Sequence, residues 1–261
     1  LALTCFLASY FTRRYDEVRG KKFSAAKPFI VMGVLGVFLL AQPDLGSTVV
    51  LFVITFCMLF IVGANFWQFI LLIGTGILLF VWLVLSASYR LKRFTGFLEP
   101  FKDPYGTGFQ LTNSLMAFGR GEISGEGLGN SIQKLDYLPE AHTDFIMAII
   151  GEEFGFIGIL VVVILLGLLI FRAMKIGRES LMLEQRFRGF FALGISFWIF
   201  FQGFVNLGMA LGMLPTKGLT FPLVSYGGSS IIIMSATVGI LLRIDHENRL
   251  QRGGQARLRD D

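Results

Sequence analysis

Apolar runs recur along this chain, separated by short breaks of polar, glycine and proline residues: Pro28–Gln42, Ser47–Gly63, Phe66–Ser86, Phe145–Phe171, Gly189–Leu214 and Val224–Leu242. A helix needs roughly 17–25 predominantly apolar residues to cross a bilayer. The runs are continuously apolar and carry no barrel-like alternation, so a helix is the structure that satisfies their backbones in lipid. The pattern predicts an all-α, polytopic integral membrane helix bundle with six full spans. An earlier run, Leu1–Phe11, is too short to traverse about 30 Å of hydrocarbon at about 1.5 Å per residue. It reads as the tail of a further span, and since the chain lacks a starting Met, an N-terminal truncation is expected. No signal peptide is visible.

Composition supports the membrane assignment, with 54% apolar and 16% charged residues against about 25% charged in a soluble domain. The distribution of charge predicts orientation. Arg13, Arg14, Arg19, Lys21, Lys22 and Lys27 crowd the first linker; Arg172, Lys175, Arg178, Arg186 and Arg188 follow the fourth full span; Arg243, Arg249, Arg252, Arg257 and Arg259 populate the C-terminal end. Such clusters mark the cytoplasmic side. Pro43–Gly46, Arg90–Thr143 and Pro215–Leu223 are then expected outside, with Arg90–Thr143 a large extracytoplasmic loop within a single domain, 1–261. Arg243–Asp261 becomes a cytoplasmic tail, disordered from Gln251 onward on its glycine and charge content. The net charge of +5 suits flanks lying near anionic lipid, and no basic stripe with interleaved aromatics points to nucleic acid. Cys5 and Cys57 fall inside apolar runs, too few for a disulfide framework or a metal site.

The outer loop is neither uniformly apolar nor low in complexity, so it is expected to fold over the membrane. Gly108–Phe118 predicts an interfacial amphipathic helix, with Phe109, Leu111, Leu115, Met116 and Phe118 as its apolar members and Gln110, Thr112, Asn113 and Ser114 among its polar ones. Gly119, Gly121, Gly125, Gly127 and Gly129 then predict irregular backbone.

Several reaction classes drop out for want of a motif. The chain has no phosphate-binding Walker sequence, no HExxH and no GxSxG. Gly125–Asn130 is glycine-rich but follows no predicted strand. Polar chemistry collects in Leu138–Ile146 (LPEAHTDFI), just ahead of a span. Thr143 or Asp144 could cap the helix beginning near Phe145; alternatively Asp144, at the water–lipid boundary, could accept a proton from a sugar hydroxyl, with His142 beside it a candidate for binding substrate. Glu152 and Glu153 lie inside the apolar run. Acids there are functional candidates because their burial is costly, unless Gly151 and Gly155 break the helix and leave them at the interface. Lys217 either snorkels to headgroups or acts with Ser225, Gly227, Gly228 and Ser229, at a predicted helix start, to hold a phosphate; in the structural reading the glycines permit close packing. Asp44 fits a helix cap in a tight turn. Gln202 and Asn206, one turn apart, fit hydrogen bonds between helices.

Ala41–Gly46 (AQPDLG), Ser114–Gly121 (SLMAFGRG), Gly127–Ser131 (GLGNS), Gln133–Glu153 and Leu214–Ser230 together resemble the SEDS family of bacterial cell-wall polymerases. Leu138–Asp144 and Leu214–Gly218 are more similar to its division branch than to its elongation branch. The resemblance covers nearly the whole chain and implies a ten-span protein, of which this chain keeps the end of the fourth span and the fifth to tenth. It implies polymerisation of lipid II, an undecaprenyl-pyrophosphate-linked disaccharide peptide, at the septum of the bacterial cytoplasmic membrane. A class B penicillin-binding transpeptidase and other divisome membrane proteins are the implied partners. The family's essential acid matches Asp144, and its conserved lysine in the last outer loop matches Lys217. The implied reaction is an inverting transfer with Asp144 as general base. Lys217, alone or with a divalent cation such as Mg or Mn, would bear the pyrophosphate charge; no other cofactor is expected. Rival readings are a lipid II flippase, the elongation-type polymerase and a membrane scaffold.

Overall fold

The computed structural model describes residues 1–20, 26–42, 44–85, 97, 99–106, 108–215 and 218–260, and every regular element among them is helical. In chain order these are α1 (Ala2–Arg13), α2 (Tyr15–Gly20), α3 (Ala26–Ala41), α4 (Leu45–Val62), α5 (Phe66–Leu85), α6 (Phe109–Gly121), α7 (Ile146–Met182), α8 (Arg186–Ala210) and α9 (Gly228–Asp260). Short helical turns occupy Pro100–Lys102 and Gln133–Tyr137. Each expected span coincides with one of α3, α4, α5, α7, α8 and α9. Three of these, over Ile146–Met182, Arg186–Ala210 and Gly228–Gly253, are long and apolar enough to cross a membrane by length and composition. The described residues form two compact units, Leu1–Gly74 with Leu168–Phe200 and Ile232–Asp261, and Thr75–Gly167 with Phe201–Ile231.

In the first unit, α1 buries Leu3, Thr4, Leu7, Ala8 and Phe11. Their spacing of three and four places them on one helix face, and α4 packs against both α1 and α3. The start of α4 is capped as expected, with Ser47 N–H donating to Asp44 Oδ1 at 3.0 Å; such caps contribute about 1 kcal/mol. The lower parts of α7 and α8 approach through small residues. A Cβ on Gly177 would stand 3.1 Å from Gly189 O, and one on Gly189 the same distance from Gly177 O.

The expected disorder from Gln251 does not occur: α9 continues to Asp260. Ion pairs tie its C-terminal half down, from Arg172 and Arg249 to Asp245, from Arg188 and Arg243 to Glu247, and from Arg252 to Glu179. Asn248 is fully buried and donates to Ser180 Oγ at 2.8 Å. Charge that read as a solvated tail is thus partly spent on helix–helix contacts.

The second unit is built around a break in α7. Gly155 has φ 66° and ψ −164°, a region essentially reserved for glycine. A Cβ there would lie 2.4 Å from Ile123 O. A regular helix would pair the N–H groups of Phe156 and Ile157 with the carbonyls of Glu152 and Glu153. Instead Phe156 donates to Glu122 O and Ile157 to Ile123 O, while Glu152 O and Glu153 O accept from Glu126 N and Gly127 N. The connection ahead of α7 has inserted residues 122–127 into the helix and exchanged four backbone bonds with it. Backbone at membrane depth must be satisfied internally, and this exchange does so without a continuous helix.

Helix α6 forms where the amphipathic pattern placed it, one turn longer at its C-terminal end. Its buried face differs from the expected one, including Thr112, Asn113 and Ser114 beside Leu111 and Ala117. Ser114 Oγ donates to Ala210 O at 2.7 Å, so the polar side of the helix faces protein. Ala117 joins Leu138, Ala141, Phe145, Ala148, Ile149 and Ala210 in the core of this unit.

Candidate active site

Residues 140–145 turn sharply into α7. Glu140 adopts φ 55°, and its carbonyl accepts from the N–H groups of Thr143, Asp144 and Phe145. Thr143 does not cap the helix; its hydroxyl donates to Glu140 Oε2 at 2.5 Å. The Asp144 carboxylate turns toward the last outer connection, its Oδ2 standing 3.1 Å from where a Gly218 Cβ would be. Asp144 is half-buried and His142 exposed. Lys217 lies outside the described residues, one position from Gly218.

Three successive carbonyls hold this segment. His142 O accepts from Tyr226 N at 2.9 Å, Thr143 O from Ser225 Oγ at 2.6 Å, and Asp144 O from Asn206 Nδ2 at 2.7 Å. Asn206 and Ser225 also fix the opposing loop, together with Gln202. Asn206 Nδ2 also donates to Leu219 O, Gln202 Nε2 donates to Thr220 O at 2.9 Å, and Ser225 Oγ accepts from Phe221 N at 2.6 Å. Leu223 within that loop has φ 63°. An aliphatic residue there carries on the order of 1–3 kcal/mol of strain, which this density of bonds sustains.

The geometry changes what the sequence suggested for several residues. The Ser225 hydroxyl is buried and spends its hydrogen on Thr143 O, so it braces backbone rather than facing a phosphate. Gly227, Gly228 and Ser229 stand at the start of α9, where Gly228 has open space around its Cβ position and Ser229 is exposed. Gln202 and Asn206 do not bridge helices; both reach loop carbonyls. Sequence reasoning missed that role because a side-chain amide in a span has too many candidate partners.

Glu152 and Glu153 are buried and anchor the outer loop. Glu152 accepts from Ser131 Oγ at 2.5 Å, Ile132 N at 3.1 Å, Gln133 N at 3.2 Å and Arg120 Nη1 at 3.2 Å. Lys134 Nζ lies 2.6 Å from Glu153 Oε1. Of the two alternatives open at these residues, cavity lining or an interfacial position beside a glycine break, the helix does break at Gly155, yet loop residues cover both acids. The signal available was charge balance, since Arg120 and Lys134 are basic residues of the loop that buried acids would require. Among the described residues no group of three or more His, Cys, Asp or Glu side chains is placed to hold a metal ion.

A helical chain with several membrane-length helices and a polar site where one span begins is a multi-pass membrane protein. Residues 1–250 match the family described as Cell cycle protein (FtsW, RodA, SpoVE), and the chain belongs to that family. It is 84% identical over 261 residues to the probable peptidoglycan glycosyltransferase FtsW of Pasteurella multocida, covering all of this chain and 66% of the relative. The chain thus spans about two thirds of the length of such relatives. Among solved structures, it resembles a chain of a peptidoglycan synthase complex studied for coordination of polymerization and crosslinking, with TM-score 0.72, 28% identity and coverage of 94% and 68% of the two chains. It also resembles the rod shape determining protein RodA of Thermus thermophilus, with TM-score 0.61, 26% identity and coverage of 94% and 64%.

Proposed function

We propose that this protein polymerises lipid II into glycan strands during septal cell-wall synthesis, with Asp144 as general base of an inverting transfer. The observation that carries this reading is the Asp144 carboxylate turned toward Gly218 on a segment fixed through three consecutive carbonyls. The high-identity relatives are named as probable peptidoglycan glycosyltransferases, which supports the glycosyl-transfer part of the reading. In the proposed reaction the C4 hydroxyl of one lipid-linked sugar attacks the anomeric carbon of another, and Asp144 takes the hydroxyl proton as the bond to undecaprenyl pyrophosphate breaks. One placed base suffices, because inversion needs no covalent enzyme intermediate. Lys217 and the start of α9, with Gly227, Gly228 and Ser229, would bear the leaving pyrophosphate. Ser225, Glu152 and Glu153 are assigned to support of the site. A class B transpeptidase is the proposed partner, with Arg90–Thr143 outside and the C-terminus cytoplasmic.

The test is polymer formation by the purified full-length protein with its transpeptidase, given lipid II alone. Glycan chains on a gel are expected. Lipid II translocation without polymer would favour a flippase and overturn the proposal. For Lys217, Lys217→Ala is expected to weaken use of subsaturating lipid II, with Lys217→Arg retaining more activity because the cation remains. An Ala variant with unchanged rates at low substrate would return Lys217 to a snorkelling role.

A further inference from the structure

Asn206 is fully buried on α8 and makes an unusual commitment for a side-chain amide. Its Nδ2 donates to Asp144 O at 2.7 Å and also to Leu219 O. Both N–H groups are therefore spent on two carbonyls from two different loops. The orientation of the amide follows, since a flipped side chain would turn its oxygen against two other oxygens. The cost is visible in Oδ1, which is buried with no hydrogen-bond partner among the described residues. Buried polar atoms are rarely left so. The arrangement sacrifices one acceptor to keep two donors on the loops, a choice that packing alone does not require.

We infer that Asn206 is a positioning residue that sets the Asp144 carboxylate against the 218–220 loop, so that the base keeps its working place relative to that loop. This rests on the proposed polymerase reading of Asp144. The bond falls on the backbone of Asp144 itself, one peptide from Thr143 O and two from His142 O, which Ser225 and Tyr226 hold. Gln202, one turn earlier on α8, holds Thr220 O beside Leu219 O. Of these contacts, the Asn206 amide is the one in which a single group bonds both Asp144 and the opposite loop. Its removal leaves the bonds from Ser225 and Tyr226 to Thr143 O and His142 O but frees the carbonyls of Asp144 and Leu219, loosening the two segments where the base sits. Misplacement of a catalytic group by about 1 Å can cost on the order of 10²-fold in rate, while substrate held by other groups still binds.

The experiment is steady-state polymerisation of lipid II by the full-length protein with its transpeptidase, comparing Asn206→Asp, Asn206→Ala and Asn206→Gln, with Asp144→Asn alongside. Asn206→Asp keeps the shape but offers at most one donor, and it is expected to lower kcat on the order of 10²-fold with KM nearly unchanged. Asn206→Ala should fall at least as far, and Asn206→Gln, which keeps both N–H groups, should recover part of the loss. Variants that lower the yield or melting temperature but show parental kcat per folded molecule would overturn the inference and leave Asn206 a packing residue. A rise in KM at constant kcat would overturn it as well. The outcome for Asp144→Asn separates the two ideas. Parental activity in that variant removes the base reading and this inference with it, whereas an inactive Asp144→Asn beside fully active Asn206 variants removes the inference alone.

Discussion

Asp144→Asn is expected to give a folded protein that binds its transpeptidase yet forms no glycan from lipid II. The substitution is nearly isosteric, and it leaves untouched the backbone bond from Asn206 Nδ2 to Asp144 O. Asn and Asp also rank together as helix caps, so a purely structural role would survive the change. What is lost is the ability to take a proton. A placed base contributes roughly 10²–10⁴ in rate, and a polymerisation rate lowered by that factor leaves no glycan visible in the assay. Gel analysis of products, paired with co-purification of the partner, makes the measurement. A flippase predicts continued lipid translocation by the same variant, and an Asn protein polymerising at the original rate would sink the catalytic assignment.

The spans were legible because burial in lipid imposes one requirement, a long apolar helix, that the sequence states directly. Caps were legible for a similar reason: Asp44 stands three residues before the N–H it binds, a spacing visible in the sequence. The break at Gly155 was half legible. A glycine at 151 and another at 155 signalled irregular helix, but the partner segment, Glu122–Gly127, lies about thirty residues earlier, and nothing local links them. The same distance in sequence hid the pairing of Glu152 with Arg120 and Ser131. Asp144 gained its candidacy from position and resemblance, whereas its supports, Asn206 and Ser225, come from segments 62 and 81 residues away (206 less 144, and 225 less 144). The tail shows the opposite error. Glycine and charge in Gln251–Asp261 suggested disorder, but α9 continues to Asp260, with Arg252 paired with Glu179.

Glu152→Ala is expected to release the outer loop from α7 without removing any group from the proposed chemistry. The carboxylate is fully buried and takes bonds from a hydroxyl, a guanidinium and two backbone N–H groups. Its loss strands those donors. Arg120 keeps 37% of its side chain exposed and can rehydrate, so the penalty sits at the low end for a broken buried pair, on the order of 3 kcal/mol. Glu152→Gln keeps the volume and one acceptor oxygen and should lose about half as much. Local opening of the loop reports the effect most directly. Amide exchange over 122–134 should accelerate by a factor on the order of 10² in the Ala variant, one factor of ten for each 1.4 kcal/mol. If Glu152 bound substrate instead, its removal would raise KM for lipid II while amide exchange in the loop stayed at the parental rate. That pair of results would transfer Glu152 from the loop anchor to the binding site.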